Sequence, residues 1–360
     1  MKYTCSLINQ PWEDPGVLVH LNDTHEYWLF DCGDLSRLSV GILMDTTKVF
    51  VTHSHIDHFI GFDTIMRMNL RESKNLCFYG PVGLASQIGS RLQGYSWNLT
   101  DDSEFSITCY ELEDIRVVSY TFRAVNKFIE DIDDRRSYQL THPEFRLEDG
   151  TMLRFAPLSH GVTCLCYSIT EPLQARIDKE VLAKSGLTSG TWVGQLLKIC
   201  SGQIAEPLTL KIGDQVKTME ELRDFVYYPK PSRHAYVTDT ILNRDSMASI
   251  RWVAMGADEL WCEACYRHAE LDKARTNLHL TSRQAGRIAK ELKAGELHLF
   301  HYSRRYRGEL WPHIREAQEN FPNTTPPPMV SLPNQNTEEP ADLSSGAVGT
   351  PASTAAQCNN

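Results

Sequence analysis

A dense group of polar side chains follows an apolar run early in this chain, and it limits the possible folds more than any other feature. Residues 51–61 read VTHSHIDHFIG, with three imidazoles and one carboxylate within six positions. Such groups cost several kcal/mol at the end of a buried strand unless they find partners, which argues against a histidine-rich surface loop. His53 and His55 project to the same side of an extended chain and can share one metal ion. Asp57 and His58, in the following turn, can face a second ion, so the pattern predicts a metal site.

Composition sets the outer limits. The 360 residues, 41% of them hydrophobic, suffice for one large domain or two small ones. No apolar run approaches the roughly 20 residues of a membrane span, and the start of the sequence lacks the pattern of a secretory signal, so we expect no membrane association and a cytoplasmic location. The net charge of −10 argues against a general basic coat for nucleic acid but allows a local basic patch.

The ten cysteines are too few in a chain of this length for a disulfide framework. Two close pairs, Cys164/Cys166 and Cys262/Cys265, could each be half of a zinc ribbon. The pairs are far apart in the sequence and lie within strand-like text, so we predict buried structural thiols instead.

The order of predicted elements indicates the fold class. Residues 322–360 are rich in Pro, Ser, Thr and Asn, which predicts a disordered tail after a single domain over residues 1–321. Alternation or short apolar runs predict strands at residues 26–31, 48–52, 76–79, 115–122, 152–158, 164–169, 234–238, 259–262 and 296–300. Helices are predicted at residues 82–92, 281–293 and 309–320. Strands dominate the first half and alternate with helices later, which favours two packed sheets with helices outside, a four-layer α/β arrangement.

The sequence of the polar cluster resembles the signature of a known superfamily. Residues 53–58 are similar to the H-x-H-x-D-H signature of the metallo-β-lactamase superfamily. This resemblance implies a four-layer αβ/βα sandwich with a two-metal site between its halves, in agreement with the layers predicted above.

Such a site needs further ligands from distant strands. His160, Asp239 and His301 each stand just past a strand-like stretch. Any one of them alone is more often an ordinary loop residue. Their order and spacing together match what the superfamily requires. The resemblance then implies that His53, His55 and His160 hold one ion, that Asp57, His58 and His301 hold the other, and that Asp239 bridges the two.

Other stretches resemble one branch of this superfamily, ribonuclease Z, the tRNA 3′-processing endonuclease. Residues 30–33 (FDCG), 79–84 (YGPVGL), 263–266 (EACY), 279–281 (HLT) and 301–306 (HYSRRY) are similar to motifs of that family. The resemblance covers roughly residues 26–310.

The chain also departs from the family pattern. Its first strand and loop lack the usual Gly-rich stretch and the Arg-Asn pair that follows, and residues 186–191 (GLTSGT) contain no proline where a Pro-Pro-Gly-Pro core is usual. Cys265 replaces a threonine, and Cys166 replaces a glycine. The metal motifs are therefore better preserved than the substrate-facing periphery.

The resemblance assigns roles to further residues. Asp57 would steer the proton of the attacking water, His279 would act as general acid, and Glu263 would orient the ring of His279. The alternative for His279 is a histidine that merely precedes a helix. The alternative for Glu263 is an ordinary ion-pair partner. Arg304 and Arg305 are candidates to bind substrate phosphate, or belong to a solvated charged face.

Three functions follow from these residues. The first is a ribonuclease Z-like endoribonuclease acting on tRNA precursors, with a homodimer implied by the family. The second is a hydrolase of the same fold for a small ester or cyclic phosphodiester. The third is a metal-binding protein without turnover. The expected cofactors are two divalent ions, with zinc favoured and manganese or iron compatible.

Overall fold

Two large β-sheets face each other in this protein. The computed structural model describes residues 3–70, 73–202 and 204–331. The first sheet has strands in chain order: β1 (Tyr3–Leu7), β2 (Val17–Leu21), β3 (Tyr27–Phe30), β4 (Thr46–Phe50), β5 (Asn75–Pro81), β6 (Ser106–Glu113), β7 (Arg116–Arg123) and β8 (Glu130–Gln139). The central strands β3 to β6 are parallel, and the outer pairs are antiparallel.

The second sheet joins strands from the later part of the chain. Its strands are β9 (Glu144–Arg146), β10 (Met152–Ser159), β11 (Thr163–Thr170), β16 (Arg233–Val237), β17 (Glu259–Glu263), β18 (Glu296–Phe300) and β19 (Thr324–Thr325). They lie in the order β19-β18-β17-β16-β11-β10-β9. The four strands β16 to β19 are parallel, so their carboxyl ends meet at one edge of the sheet.

A small lobe over residues 176–227 is inserted between β11 and β16. Its two short sheets pair β12 (Arg176–Ile177) with β15 (Val226–Tyr227) and β13 (Thr209–Ile212) with β14 (Gln215–Thr218). Apolar side chains such as Trp192, Leu196 and Leu222 form a core inside this lobe.

The helices supply the outer layers and the lobe. They are α1 (Val40–Asp45), α2 (Ile56–Phe59), α3 (Phe62–Asn69), α4 (Leu84–Leu92), α5 (Lys179–Lys184), α6 (Thr191–Cys200), α7 (Met219–Arg223), α8 (Arg244–Ala254), α9 (Leu271–Thr276), α10 (Ser282–Leu292) and α11 (Leu310–Gln318). No helix among the described residues is both long and apolar enough to cross a bilayer.

Side-chain alternation along the strands of the two large sheets creates three cores, one between the sheets and one on the outer side of each sheet. On β16, His234 and Tyr236 face the other sheet, while Ala235 and Val237 pack against the helices outside. Residues from α3, α4 and the outer face of the first sheet form one helix–sheet core, and α8, α10 and α11 form the other. Helix, sheet, sheet and helix follow in that order, which confirms the predicted four-layer sandwich.

The periodicity found nine of the 19 strands and three of the 11 α-helices of the described residues. All nine predicted strands coincide with observed strands, and the three predicted helices correspond to α4, α10 and α11. Strands β1, β2, β6, β8, β9 and β19, helices α1, α2, α3, α8 and α9, and the lobe were not predicted. In β1 and β6, cysteine and serine stand among the apolar residues, and β8 is a charged edge strand, EDIDDRRSYQ. None of these three strands shows a clear alternation of apolar and polar residues in the sequence. Cys164, Cys166, Cys262 and Cys265 are buried free thiols, as predicted.

The ordered chain runs past the predicted boundary at residue 322. Thr324 is buried and β19 joins the edge of the second sheet. Leu7 donates its backbone N–H to Pro328 and accepts one from Val330, so this segment also contacts β1. Three backbone contacts thus fix a segment whose composition alone indicates disorder. Residues 332–360 lie outside the described residues, and the disordered tail remains a prediction there.

The packing of α11 makes stability sensitive to acid. The buried ring of His313 stacks on Tyr302 with centroids 4.0 Å apart and meets Tyr306 edge-on at 4.7 Å. Burial lowers the pKa of His313 to about 4. The unfolded chain binds a proton near pH 6.5 and the folded chain does not, so stability falls as the pH drops from 6.5 towards 4, by up to roughly 3 kcal/mol.

We therefore expect His313→Phe to lose less stability than the wild type between pH 7.5 and pH 5. The phenylalanine ring keeps the stacking but binds no proton. Chemical denaturation of both proteins at the two pH values measures the difference. Equal losses would show that His313 titrates normally.

Candidate metal centre

Parallel strands deliver the polar side chains to one edge of the sandwich. Asp239 follows β16, Glu263 ends β17, and His301 follows β18 directly. The register pairs Val237 with Cys262 and Glu263 with Phe300, so these three chain positions reach the edge side by side. The segment after β4 arrives from the other sheet, where the Leu165 N–H donates to the carbonyl of Thr52 across 2.9 Å.

Three residues at this edge have left-handed backbone conformations. Asp31, Asp239 and His301 have φ values of 55°, 49° and 57°. Non-glycine residues seldom adopt this region, and such strain concentrates at functional sites. Each of the three immediately follows a strand or lies within two residues of its end.

Four side chains form the first candidate ion site. His53, His55, His160 and Asp239 each offer an atom, and these atoms lie within 4.8 Å of one another. The Asp239 Oδ2 atom is 3.5 Å from His53 Nε2 and 3.2 Å from His160 Nε2. The carbonyl of Leu278 lies 3.0 Å from His160 Nδ1 and leaves its Nε2 free to face the site.

Three more side chains form the second candidate ion site beside the first. Asp57, His58 and His301 form a group with the same spacing limit. Asp57 Oδ2 is 3.4 Å from His301 Nε2 and 3.7 Å from His58 Nε2. Asp239 reaches this group as well, with Oδ1 3.0 Å from His301 Nδ1 and Oδ2 3.3 Å from His58 Nε2. All seven residues named from the sequence therefore meet at one place.

Unpartnered nitrogens show that the donor set suits cations. The buried atoms His53 Nε2, His58 Nε2 and His301 Nδ1 make no hydrogen bond with any described residue, although Asp239 oxygens lie close. Buried polar atoms rarely lack partners. Imidazole nitrogens and carboxylate oxygens are ligands for zinc and similar divalent ions, so the residues present fit two such ions.

The charges of the site favour cations for the same reason. Burial would raise the pKa of Asp239, but His301 and His58 hold it well below its usual range. Burial would lower the pKa of His58, but Asp239 and Asp31 raise it to about 10. Burial and the neighbouring His58 lower the pKa of His53 to about 2. The Asp239 carboxylate thus stays ionised throughout the neutral range and attracts positive charge.

Asp31 supports this centre from behind and was not recognised from the sequence as a site residue. Its Oδ2 accepts hydrogen bonds from Tyr236 Oη (3.0 Å) and Thr52 Oγ1 (2.9 Å) and lies 2.8 Å from His58 Nδ1. Its Oδ1 accepts the Thr52 N–H at 2.7 Å. A carboxylate behind a ligating imidazole fixes the orientation of the ring. The available signal was its position after the apolar strand β3, the same placement that singled out Asp239.

A close backbone approach at Gly33 holds residues 53–58 against the FDCG stretch that contains Asp31. A Cβ atom at Gly33 would lie 2.4 Å from the Asp57 carbonyl and 2.7 Å from the Pro15 carbonyl. Only glycine permits this approach. The FDCG stretch therefore positions the loop through both a carboxylate and a missing side chain.

We expect Asp31→Asn to weaken metal binding by roughly 10–100-fold, because the amide orients the His58 ring less well and carries no charge. Asparagine also tolerates the left-handed backbone, so the fold should persist. Metal content after dialysis against graded chelator concentrations measures the effect. Retention equal to wild type would contradict the assigned role.

Glu263 and His279 lie beside the two ion sites. Glu263 is fully buried; its Oε1 accepts the Thr240 N–H at 2.8 Å, and its Oε2 lies 2.9 Å from His279 Nδ1. His279 Nδ1 is 3.9 Å from Asp239 Oδ1. Burial would lower the pKa of His279, but Glu263 raises it. The structure places both residues beside the two candidate ion sites, with Glu263 in contact with Nδ1 of the imidazole. Their roles in catalysis stay a prediction.

The two arginines proposed for phosphate lie at the rim. Arg304 is 83% exposed and pairs with Asp14 at 3.0 Å. Arg305 pairs with Glu270 at 2.9 Å, and its guanidinium lies 5.4 Å from the ring centre of Tyr266. No described contact joins either one to the seven candidate ligands. Arg304 is therefore the more accessible of the two, and the phosphate role of both stays a prediction.

Comparison with known proteins shows which proteins this chain is similar to. No family model matches the chain. It is 30% identical to ribonuclease Z of Deinococcus radiodurans over 330 residues, which is 89% of this chain and 96% of that protein. It is 27% identical to ribonuclease Z of Streptococcus agalactiae over 321 residues, 86% of this chain and 89% of that protein. The structure of the short form of human tRNase Z aligns at 18% identity with a TM-score of 0.46, covering 92% of this chain and 99% of that one.

The four layers and the paired His/Asp groups are those of a metal-dependent hydrolase with the metallo-β-lactamase fold. Within that class, identity of 30% along nearly the full length of both proteins settles the branch. The chain belongs to the ribonuclease Z family.

Proposed function

We propose that this chain is an endoribonuclease that cleaves tRNA precursors at the 3′ end of the acceptor stem, using two divalent metal ions. The observation that carries this proposal is the convergence of His53, His55, Asp57, His58, His160, Asp239 and His301 within one edge of the sandwich. The curated relatives that bear the name ribonuclease Z cover nearly the whole chain, and this supports the choice of substrate.

The proposed division of ligands follows the distances. His53, His55 and His160 would hold one ion, Asp57, His58 and His301 the other, with Asp239 shared between them. Two bound divalent ions lower the pKa of a water and neutralise charge on the phosphoryl oxygens. Asp31 and Thr52 would keep the imidazole of His58 oriented through hydrogen bonds that are already formed.

Proton movement at the leaving group is assigned to His279. A water oxygen forms a bond to phosphorus while the bond from phosphorus to the leaving sugar oxygen breaks. The imidazolium of His279 gives its proton to that oxygen, and Glu263 stabilises the charged ring at 2.9 Å. Asp57 would accept the proton of the attacking water.

Three finer assignments complete the proposal. We propose zinc as the resident metal, since the His/Asp donor set suits it, a homodimer as the assembly and the cytoplasm as the location. Metal analysis of purified protein and light scattering coupled to gel filtration test the first two. Cell fractionation tests the third.

The activity is tested with purified protein, zinc or manganese, and a tRNA precursor that carries a 3′ trailer. Bis-p-nitrophenyl phosphate and a small cyclic phosphodiester are assayed in parallel. Cleavage at the end of the acceptor stem, lost in His55→Ala, is the expected result. Turnover of the small esters alone would replace the proposal with a small-molecule phosphodiesterase, and no turnover by protein loaded with two metals would leave a binding protein.

A further inference from the structure

Positive charge is concentrated in one part of this acidic chain. The whole sequence has 36 Lys and Arg against 46 Asp and Glu, but residues 265–308 have ten Lys and Arg against four Asp and Glu. This segment includes α9, α10 and the connection that carries His279. A local excess of this size on a protein of net charge −10 is the pattern of a surface that meets a polyanion.

The basic segment is fixed to the metal centre through the connection between α9 and α10. The carbonyl of Leu278 lies 3.0 Å from His160 Nδ1, and His279 Nδ1 lies 2.9 Å from Glu263 Oε2. The His279 N–H donates to the carbonyl of Ala274 in α9 at 2.8 Å. The last turn of α9 and the first turns of α10 therefore form a rim next to the proposed general acid.

Several arginines converge at this rim around His268. Burial lowers the pKa of His268, and Arg283, Arg287 and Arg275 lower it further against the opposing effect of Glu316. The same imidazole is held by Thr281 Oγ1, 3.1 Å from His268 Nδ1. Arg275 in α9 and Arg283 and Arg287 in α10 therefore lie close enough to His268 to act on its charge. The name His268 patch is used below for Arg267, His268, Lys273, Arg275, Arg283 and Arg287.

The carboxylates near this patch leave part of it uncompensated. Glu316 faces inwards, where it accepts the His268 N–H at 2.8 Å and the Ser282 hydroxyl at 2.7 Å. Glu319 pairs with Arg283 at 3.0 Å. Glu309 lies 3.9 Å from Arg267, and Glu270 pairs with Lys273.

Two arginines remain largely available. Arg275 is 63% exposed and only 3.9 Å from the fully exposed Asp272, a pair worth little in water. Arg287 is exposed and makes no ion pair within the part of the chain that the structure describes.

We propose that the His268 patch is a docking surface for the phosphate backbone of the RNA substrate on the leaving-group side of the scissile bond. The inference rests on the proposed function and adds the surface to it. His279 would face the leaving oxygen, so the strand attached to that oxygen passes over α9 and the start of α10. Arg275 and Arg287 would each neutralise a backbone phosphate without reading the base sequence.

The test compares kcat/KM for a tRNA precursor across a series of salt concentrations, using the metal-loaded enzyme. The Arg275→Ala/Arg287→Ala variant should lower kcat/KM roughly 10-fold at low salt and reduce the slope of log kcat/KM against log salt by about 2, one per lost phosphate contact. Its kcat for bis-p-nitrophenyl phosphate should equal that of wild type. The Arg275→Lys/Arg287→Lys variant should restore the slope, because it restores the charge.

A matched control removes two positive charges from the other end of the same strands. Lys230 pairs with Asp258 just before β16 and β17, and Arg251 lies in the last turn of α8. Lys230→Ala/Arg251→Ala should leave the slope unchanged. An unchanged slope in the Arg275/Arg287 variant, or an equal change in the control, would overturn the docking surface while precursor cleavage stands. A wild type that cleaves no precursor would overturn the proposed function, and with it the surface.

Discussion

Replacing Asp239 by Asn should lower kcat by roughly 10³–10⁴-fold, because this carboxylate serves both candidate ion sites. Its Oδ2 lies within 3.5 Å of His53, His58 and His160, and its Oδ1 lies 3.0 Å from His301. Asparagine keeps the volume and the left-handed backbone but removes the charge that the cations require. Metal content and precursor cleavage, measured on the same preparation, test the two consequences together.

Asp245→Asn is the matched control for that variant. Asp245 is an exposed carboxylate in the first turn of α8, six residues further along the chain. The Asp245→Asn variant should bind two metals and keep wild-type activity. If Asp239→Asn retained both metals and most of its activity, the bridging role would be wrong and the ion sites would need separate ligands.

Replacing His279 by Ala should lower kcat for the tRNA precursor by roughly 10²–10⁴-fold while two metals stay bound. The imidazole lies 2.9 Å from Glu263 but 3.9 Å from Asp239 and is not one of the seven ligands proposed here. It does form a further close group with Asp239, Glu263 and His301, so metal content is measured on the same preparation. Its loss removes the proton donor for the leaving oxygen rather than a ligand. A folded, metal-loaded and slow enzyme is the expected result.

A substrate with a better leaving group distinguishes acid catalysis from a structural role. p-Nitrophenolate needs little protonation, so His279→Ala should lower the turnover of bis-p-nitrophenyl phosphate by less than about 10-fold. Glu263→Gln should have a smaller effect than His279→Ala on the precursor, since it only weakens the orientation of the ring. Equal losses on both substrates would assign His279 to the integrity of the site instead.

Glu263 illustrates how far a motif alone can lead. The resemblance of the EACY stretch suggested that this carboxylate orients His279, but an ordinary ion pair was equally consistent with the sequence. The structure shows why the position is fixed: one oxygen accepts the Thr240 N–H and the other faces His279, inside a fully buried pocket. Both partners are distant in the sequence, and neither leaves a local pattern.

The basic rim around His268 shows that the sequence also does not reveal which charges are neighbours on the surface. The sequence allowed a local basic patch but pointed only to Arg304 and Arg305, because they adjoin His301. Arg305 is instead paired with Glu270, while Arg275 and Arg287, from two different helices, lie near His268 and lower its pKa. Helix packing decides which charges are neighbours, and no spacing in the sequence records it.

The sequence by itself predicted nine of the strands, the four layers and, through its resemblance to the superfamily, the seven candidate ligands. Alternation and apolar runs are properties of neighbouring residues, and each ligand is marked locally as a polar group just past an apolar strand. Only the tertiary structure decided that Asp31 supports His58, that three residues adopt left-handed turns and that the chain stays ordered beyond residue 322. Those features depend on contacts between segments far apart in the chain, such as Asp31 with Tyr236 and Leu7 with Pro328, which arise only when the two sheets pack in register.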